Sequence, residues 1–297
     1  MKTKHKVIFG NCMSMVELSN ESIHLIVTSP PYFNAPFDYK GLFKNYEQYL
    51  GVIKRMVNEA YRVLQDGRIF ALNIDDMLVN GLKYPIIADT IKIFQSAGFR
   101  YRDKIIWKKP DGYLRISKRS GVLLQNPYPM YFYPDNLLES IVIFQKGKFD
   151  YHSISKEVRE QSKIDKKEFQ DNNWHKTIWE MTNVLPGSKL EKNIAAFPDE
   201  LAYRLIKLFS YVGETVLDPF IGSGTTMKIA RQLKRNSIGY EIIRDLEGVI
   251  RKKVGFKTYE NSDTFEVVDR DRGKYRFVTL EYIESKKNAD NSKNNGN

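Results

Sequence analysis

The sequence predicts an α/β protein built on a mostly parallel central sheet. Three observations carry that prediction. Apolar runs of strand length alternate with segments of helical periodicity along residues 7–107. The same alternation returns after residue 197. Two of the strands end in loops of unusual composition, one with paired prolines and one rich in glycine, and open α/β sheets hold ligands at the carboxyl ends of their strands.

The elements follow in chain order. Val7-Ile8-Phe9-Gly10 reads as a strand that turns at Asn11-Cys12-Met13, and residues 25–29 read as a second. Residues 46–64 carry Tyr49, Val52, Ile53, Met56, Ala60, Val63 and Leu64 at helical spacing, and Asp66-Gly67 is expected to end that helix. A strand over 68–74, a helix over 85–97 closed by Gly98, and a strand over 102–107 come next. Residues 108–193 break the pattern. Residues 138–145 look like a buried strand, but the segment as a whole reads as an insertion of loops and short elements outside the repeating sheet. Regularity returns with a helix over 199–211, a strand over 215–218, a helix running to Leu233 and a strand over 237–241. Residues 264–280 read as a hairpin turning at Asp271-Arg272-Gly273, and 286–297 as a disordered polar tail. The expected divisions are therefore 1–107, 108–193, 194–285 and 286–297.

Composition narrows the partner class. The chain has 297 residues, 42% hydrophobic and 28% charged, which suits a globular domain, and no apolar run has the length of a membrane span. The opening residues MKTKHKVIFGNC lack the apolar core of a signal peptide, and one cysteine permits no intrachain disulfide, so a cytoplasmic location is expected. The net charge of +11 favours a polyanionic partner. Between Arg100 and Ser120, eight basic residues stand against two acids, interleaved with Tyr101, Trp107 and Tyr113. Aromatic rings among cations suit nucleic acid.

The proline loop reads Thr28-Ser29-Pro30-Pro31-Tyr32. Ser29 and Pro30 both precede a proline, so the turn is stiff and extended, and neither proline has an N–H while both keep a carbonyl acceptor. The glycine loop reads Asp218-Pro219-Phe220-Ile221-Gly222-Ser223-Gly224-Thr225-Thr226, between a strand and a helix. Its glycines allow a tight turn and a close approach to a ligand, and the helix behind it aims free N–H groups forward. Glu241 ends the following strand, where nucleotide-binding α/β folds place an acid on ribose hydroxyls. A phosphate-binding P-loop needs Lys-Ser/Thr after its last glycine, and Thr225-Thr226 stands there instead. A dinucleotide fingerprint needs a third glycine at 227, which is Met. A ligand with ribose and adenine but no pyrophosphate remains, and S-adenosylmethionine is one.

Together the two loops make the chain resemble the DNA amino-methyltransferases. With the proline loop first and the glycine loop near the C-terminus, the order resembles that of the beta class. The resemblance runs over most of residues 5–245. It implies a Rossmann-like S-adenosylmethionine-dependent methyltransferase fold, circularly permuted, with a target-recognition region inserted between the loops. It assigns catalysis to Ser29, Pro30, Pro31 and Tyr32, with Tyr32 stacking on a flipped base and Ser29 and the Pro30 carbonyl accepting from its amino group. It assigns cofactor binding to Asn11, Cys12, Thr28, Asp218, Pro219, Phe220, Gly222, Ser223, Gly224, Thr225 and Glu241. Asn11 is a departure, since the family usually has Asp there. Lys108, Lys109, Arg115, Lys118 and Arg119 are the expected DNA contacts, and residues 126–134 (NPYPMYFYP) are either part of the base pocket or aromatic packing under a long loop. No metal is implied. The expected partners are double-stranded DNA and a cognate restriction endonuclease, the protein itself being a monomer or a homodimer.

The expected activity is site-specific methylation of cytosine N4 in duplex DNA, because SPPY is more typical of cytosine-N4 enzymes and DPPY of adenine-N6 enzymes. Adenine N6 is the alternative. Transfer to cytosine C5 needs a cysteine nucleophile, and Cys12 lies outside any Pro-Cys loop. Glutamine methyltransferases carry the two loops in the opposite order. An inactive DNA-binding protein of the same fold is expected to show a damaged proline loop, damaged glycines or a lost ribose acid, and all three are intact.

Overall fold

A computed structural model describes residues 2–35, 42–110, 121–182, 196–256 and 263–270. In chain order the strands and α-helices are β1 (Lys4–Phe9), β2 (Ile23–Thr28), α1 (Tyr46–Val63), β3 (Leu64–Ile74), β4 (Met77–Val79), β5 (Leu82–Tyr84), α2 (Ile86–Ser96), β6 (Arg100–Lys108), α3 (Gly121–Gln125), β7 (Leu138–Gln145), α4 (Lys156–Gln161), α5 (Lys166–Asp171), β8 (Ile178–Glu180), α6 (Asp199–Phe209), β9 (Thr215–Asp218), α7 (Thr225–Gln232), β10 (Asn236–Glu241), α8 (Glu247–Val254) and β11 (Thr264–Asp269).

Nine strands form one sheet in the order β11-β1-β10-β9-β2-β3-β7-β6-β8. Every pairing from β11 to β3 is parallel. β7 runs against both β3 and β6, and β8 adds a parallel edge to β6. The pleat sends alternate residues to opposite faces, and both faces are buried. Thus Ile26, Phe70, Leu72, Val142 and Phe144 join one core, while Leu25, Val27, Ile69, Ala71, Ile141 and Ile143 join the other. α1 and α2 cover the first face, where Phe94 stacks on Phe144 at 3.9 Å and 10°. α6 and α7 cover the second through Leu201, Leu205, Ile206, Ile229 and Ala230. Among the described residues, no helix is long and apolar enough to cross a membrane.

Two expectations need correction. Residues 108–193 do not lie outside the sheet: β7 is one of its inner strands and β8 one of its edges. The run LESIVIFQ is buried on both faces, so its pattern carries no sign of its reversed direction. Asp66-Gly67 does not end α1, which stops at Val63 and passes directly into β3. Gly67 (φ +79°) sits in that strand because a Cβ there would lie 2.5 Å from the Phe149 Cα. Residues 264–269 form a strand parallel to β1, and the rest of the expected hairpin, to residue 280, lies outside the described residues. The turn at 271–273 and the tail at 286–297 lie outside the described residues. The β4–β5 hairpin has no counterpart in the sequence-based expectation.

Candidate active site

β2 and β9 lie side by side in parallel, with Leu25 opposite Val216 and Ile26 opposite Leu217. The proline and glycine loops therefore leave the same end of the sheet together. From there the chain passes from β2 to β3 on one side and from β9 to β10 on the other. That divergence is the topological switch point where open α/β sheets bind ligands. A cavity of about 350 Å³ opens at this point, and its wall includes Asn11, Cys12, Ser29, Pro31, Phe220 and Glu241.

Glu241 closes one side of the cavity. Its Oε1 accepts from the backbone N–H groups of Ile242 and Ile243, each at 2.9 Å, and its Oε2 from Gly222 N–H at 3.0 Å. Burial pushes its carboxyl up to about 7, against the pull of those three donors. Gly222 (φ +52°) and Gly224 (φ +94°) give the loop its shape, and Gly224 caps α7 in the left-handed region. Asn11 accepts from Met13 N–H at 2.9 Å, a turn that an aspartate at this place forms equally well. Cys12 is buried, and burial drives its thiol far up, so it is no nucleophile.

Five of the expected cofactor residues stand behind the wall, not in it: Thr28, Asp218, Ser223, Gly224 and Thr225 are absent from the cavity lining. Asp218 is the hub of this layer. Its carboxylate accepts from the Thr28 and Thr226 hydroxyls, both at 2.6 Å, and from Phe220 N–H at 3.1 Å. Burial pushes it up to about 6. Ser223 accepts from Lys253 at 2.7 Å. Asn11, Cys12, Pro219, Phe220, Gly222 and Glu241 do line the cavity.

On the other side, Ser29 is half-buried and lines the cavity with Pro31, while Pro30 and Tyr32 lie outside the wall. Tyr32 is 5% exposed, and its hydroxyl donates to Glu139 Oε2 at 2.8 Å. Burial and the Glu139 charge hold its phenol well above the usual tyrosine range, so it stays a donor. Asn73 donates to the same oxygen at 2.7 Å. Nearby, Asp75 accepts from Asn136 at 2.5 Å, and burial raises its carboxyl to about 7. Sequence reasoning passes over Asn73, Asp75 and Glu139. The available signal is a polar residue inside an apolar strand run, FALNI, and an acid opening another, LESIVIFQ. It also passes over Arg270, which donates to the carbonyls of Asn11 (2.6 Å) and Ser14 (2.5 Å) and so holds the loop beside the cavity.

The expected DNA contacts divide. Lys108 pairs with Glu180 at 3.0 Å, and Lys109 pairs with Glu139 at 2.5 Å. Arg115, Lys118 and Arg119 lie outside the described residues. The aromatic stretch after them is not packed away: Tyr128, Met130 and Phe132 are 66%, 91% and 68% exposed.

Fold and site together define a circularly permuted DNA amino-methyltransferase of the beta class, the type found in restriction-modification systems. Residues 23–251 match the DNA methylase family model for N6 and N4 enzymes, and the chain belongs to that family. It is 36% identical to the type II methyltransferase M.MjaI of Methanocaldococcus jannaschii over 91% of this chain and 98% of that one. It is 33% identical to the type II methyltransferase M.MthZI of Methanothermobacter thermautotrophicus over 86% and 77%. Among solved structures it is similar to a DNA modification methylase of Thermus thermophilus in complex with S-adenosyl-L-methionine, with a TM-score of 0.70, 28% identity and coverage of 89% and 98%. The cytosine-N4-specific PvuII methyltransferase, at 14% identity and a TM-score of 0.59, shares the fold.

Proposed function

We propose that this DNA methylase moves a methyl group from S-adenosylmethionine to the exocyclic N4 of a cytosine flipped out of duplex DNA. The observation that carries the reading is one cavity walled by Ser29 and Pro31 on one side and Asn11, Phe220 and Glu241 on the other. The cavity suits a nucleoside cofactor. Its volume falls within the roughly 300–1,000 Å³ of small-molecule sites. Phe220, Ile242 and Leu246 offer apolar surface to a ring, and Glu241 offers acceptor oxygens to ribose hydroxyls. When bound, S-adenosylmethionine supplies an electrophilic methyl group on a sulfonium.

The chain's own residues do the rest. An exocyclic amine is a weak nucleophile because its lone pair is delocalised into the ring. Ser29 Oγ and the Pro30 carbonyl accept its two hydrogens, which frees that lone pair and orients the nitrogen. Two consecutive prolines keep both acceptors in place without thermal rearrangement. Stacking of the flipped base on Tyr32 requires the ring face to be uncovered on DNA binding. The hydroxyl of Ser29, where adenine-N6 enzymes more typically carry a carboxylate, favours cytosine. Within residues 108–193, the exposed Tyr128 and Phe132 act as stacking surface in target recognition, beside the exposed Met130, with Arg115, Lys118 and Arg119 as phosphate or guanine contacts.

The test is nucleoside mass spectrometry of genomic DNA from a methylation-free host expressing the protein, with Ser29→Ala as control. N4-methylcytosine that disappears in the control is the expected result. N6-methyladenine keeps the mechanism and overturns the choice of base. Neither product, from folded protein, rejects DNA methylation by this chain acting alone.

A further inference from the structure

The proline loop is fixed at its upstream end by the bond from Thr28 to Asp218. Its downstream end is held by a half-buried ion pair that stands outside the cavity wall. Glu139, the second residue of β7, accepts from Lys109 Nζ through Oε1 at 2.5 Å. Through Oε2 it accepts from the Tyr32 hydroxyl at 2.8 Å and from Asn73 Nδ2 at 2.7 Å. Asn73 Nδ2 also lies 3.3 Å from the Tyr32 hydroxyl and 3.5 Å from Ser29 Oγ, the last at the limit of a hydrogen bond. Asn73 in β3 and Glu139 in β7 meet at the Tyr32 side chain, and Lys109, just after β6, stands behind Glu139.

We propose that the Lys109–Glu139 pair is a positioning device for methyl transfer, acting through the Tyr32 hydroxyl. The prolines set the internal shape of the loop but not its orientation against the sheet. Stability alone does not explain the pair, because an ion pair largely withdrawn from water is often no more stabilising than apolar residues of the same volume. Its geometry does explain the pair. The carboxylate needs its cation, since the side chains of Lys109 and Glu139 are only 21% and 11% exposed. The charged acceptor then fixes Tyr32 and Asn73 together, and Asn73 Nδ2 lies 3.5 Å from Ser29 Oγ. A loop displaced by about 1 Å loses on the order of 100-fold in rate, because the acceptors no longer meet the amine.

The proposal rests on the assignment of Ser29 and its neighbours as the catalytic loop, and the experiment separates the two. Single-turnover methyl transfer to unmethylated genomic DNA is measured for the full chain and for Tyr32→Phe, Glu139→Gln, their double variant and Ser29→Ala. Cofactor and DNA dissociation constants and melting temperature are recorded alongside. The expected result is a rate constant lowered roughly 10- to 100-fold in each of the first two. Both dissociation constants should stay within about twofold of the wild type. The double variant should be no slower than the slower single one, because Glu139 acts through the hydroxyl that Tyr32→Phe removes. A wild-type rate constant in the folded fraction of either single variant overturns the proposal, as does a multiplicative loss in the double. Tyr32→Phe keeps the buried ring, so it decides the matter even where Glu139→Gln folds poorly. If Ser29→Ala transfers at the wild-type rate, the catalytic-loop assignment itself fails. A silent Glu139→Gln beside an inactive Ser29→Ala strikes the ion pair alone.

Discussion

The two ends of the Ser29–Tyr32 loop are held by carboxylates of different kinds, one buried and one half-buried. Asp218, on the cofactor side, is compensated by two hydroxyls and one backbone N–H, and among the described residues no cation hydrogen-bonds to it. Glu139, on the strand-β7 side, is compensated by the Lys109 ammonium. Burial raises the Asp218 carboxyl to about 6 and, in the same layer, that of Glu241 to about 7, and the neutral donors around each pull against that rise without cancelling it. A paired ammonium makes each partner depend on the other. The cofactor side of the loop therefore rests on neutral donors around Asp218, and the strand-β7 side on the Lys109–Glu139 ion pair.

The sharpest way to break this comparison is Asp218→Ala. It strands the Thr28 and Thr226 hydroxyls and the Phe220 N–H, and should cost roughly 2–4 kcal/mol in urea denaturation. A loss below about 1 kcal/mol means that Asp218 does not anchor the loop. Next comes Glu241→Gln. The ionised carboxylate is the stronger acceptor for ribose hydroxyls, so wild-type cofactor affinity should rise as pH climbs through about 7. The variant should bind roughly 10- to 100-fold more weakly with a flat pH profile, and calorimetry between about pH 6 and 8 reads both. A smaller effect concerns stability. Because the folded Asp218 carboxyl is raised to about 6, the protonated form favours the fold. Its contribution is complete below the unfolded value of about 3.9 and is lost as pH rises through about 6. The stability of the wild type relative to Asp218→Asn should thus fall by up to about 2 kcal/mol between about pH 4 and 7, and a constant difference refutes the assignment. The smallest effect is Lys108→Ala. Its pair with Glu180 is solvent-exposed, with side chains 37% and 70% accessible, so unfolding should change by less than about 1 kcal/mol. If Lys108 also touches a phosphate, the salt slope of DNA binding should drop by about 1.

The two loops and the ribose acid are legible in the sequence because each is a local pattern: paired prolines, spaced glycines, an acid ending a strand. The long amphipathic α1 is legible for the same reason. What the sequence leaves obscure is pairwise. Asp218 stands in the glycine motif and so reads as a cavity residue, yet its partner Thr28 lies across β2–β9 pairing that no local pattern encodes. Lys109 sits in a basic run and reads as a DNA contact, but Glu139 lies 30 positions on and is brought beside it only by the antiparallel β6–β7 register. The reversed direction of β7 leaves no trace, since a strand buried on both faces reads the same either way.

Pairing between β2 and β9 has a consequence during synthesis. Thr28 and its partner Asp218 are 190 positions apart. At about 5–20 residues per second, a ribosome needs roughly 10–40 s to travel between them. Throughout that interval the edge of β2 that β9 will occupy, carrying Leu25, Ile26 and Val27, has no partner, and an open apolar edge is a template for wrong pairing. The permuted order thus leaves that edge of β2 open until β9 is synthesised. It also makes methylation a property that arrives late, with the glycine loop.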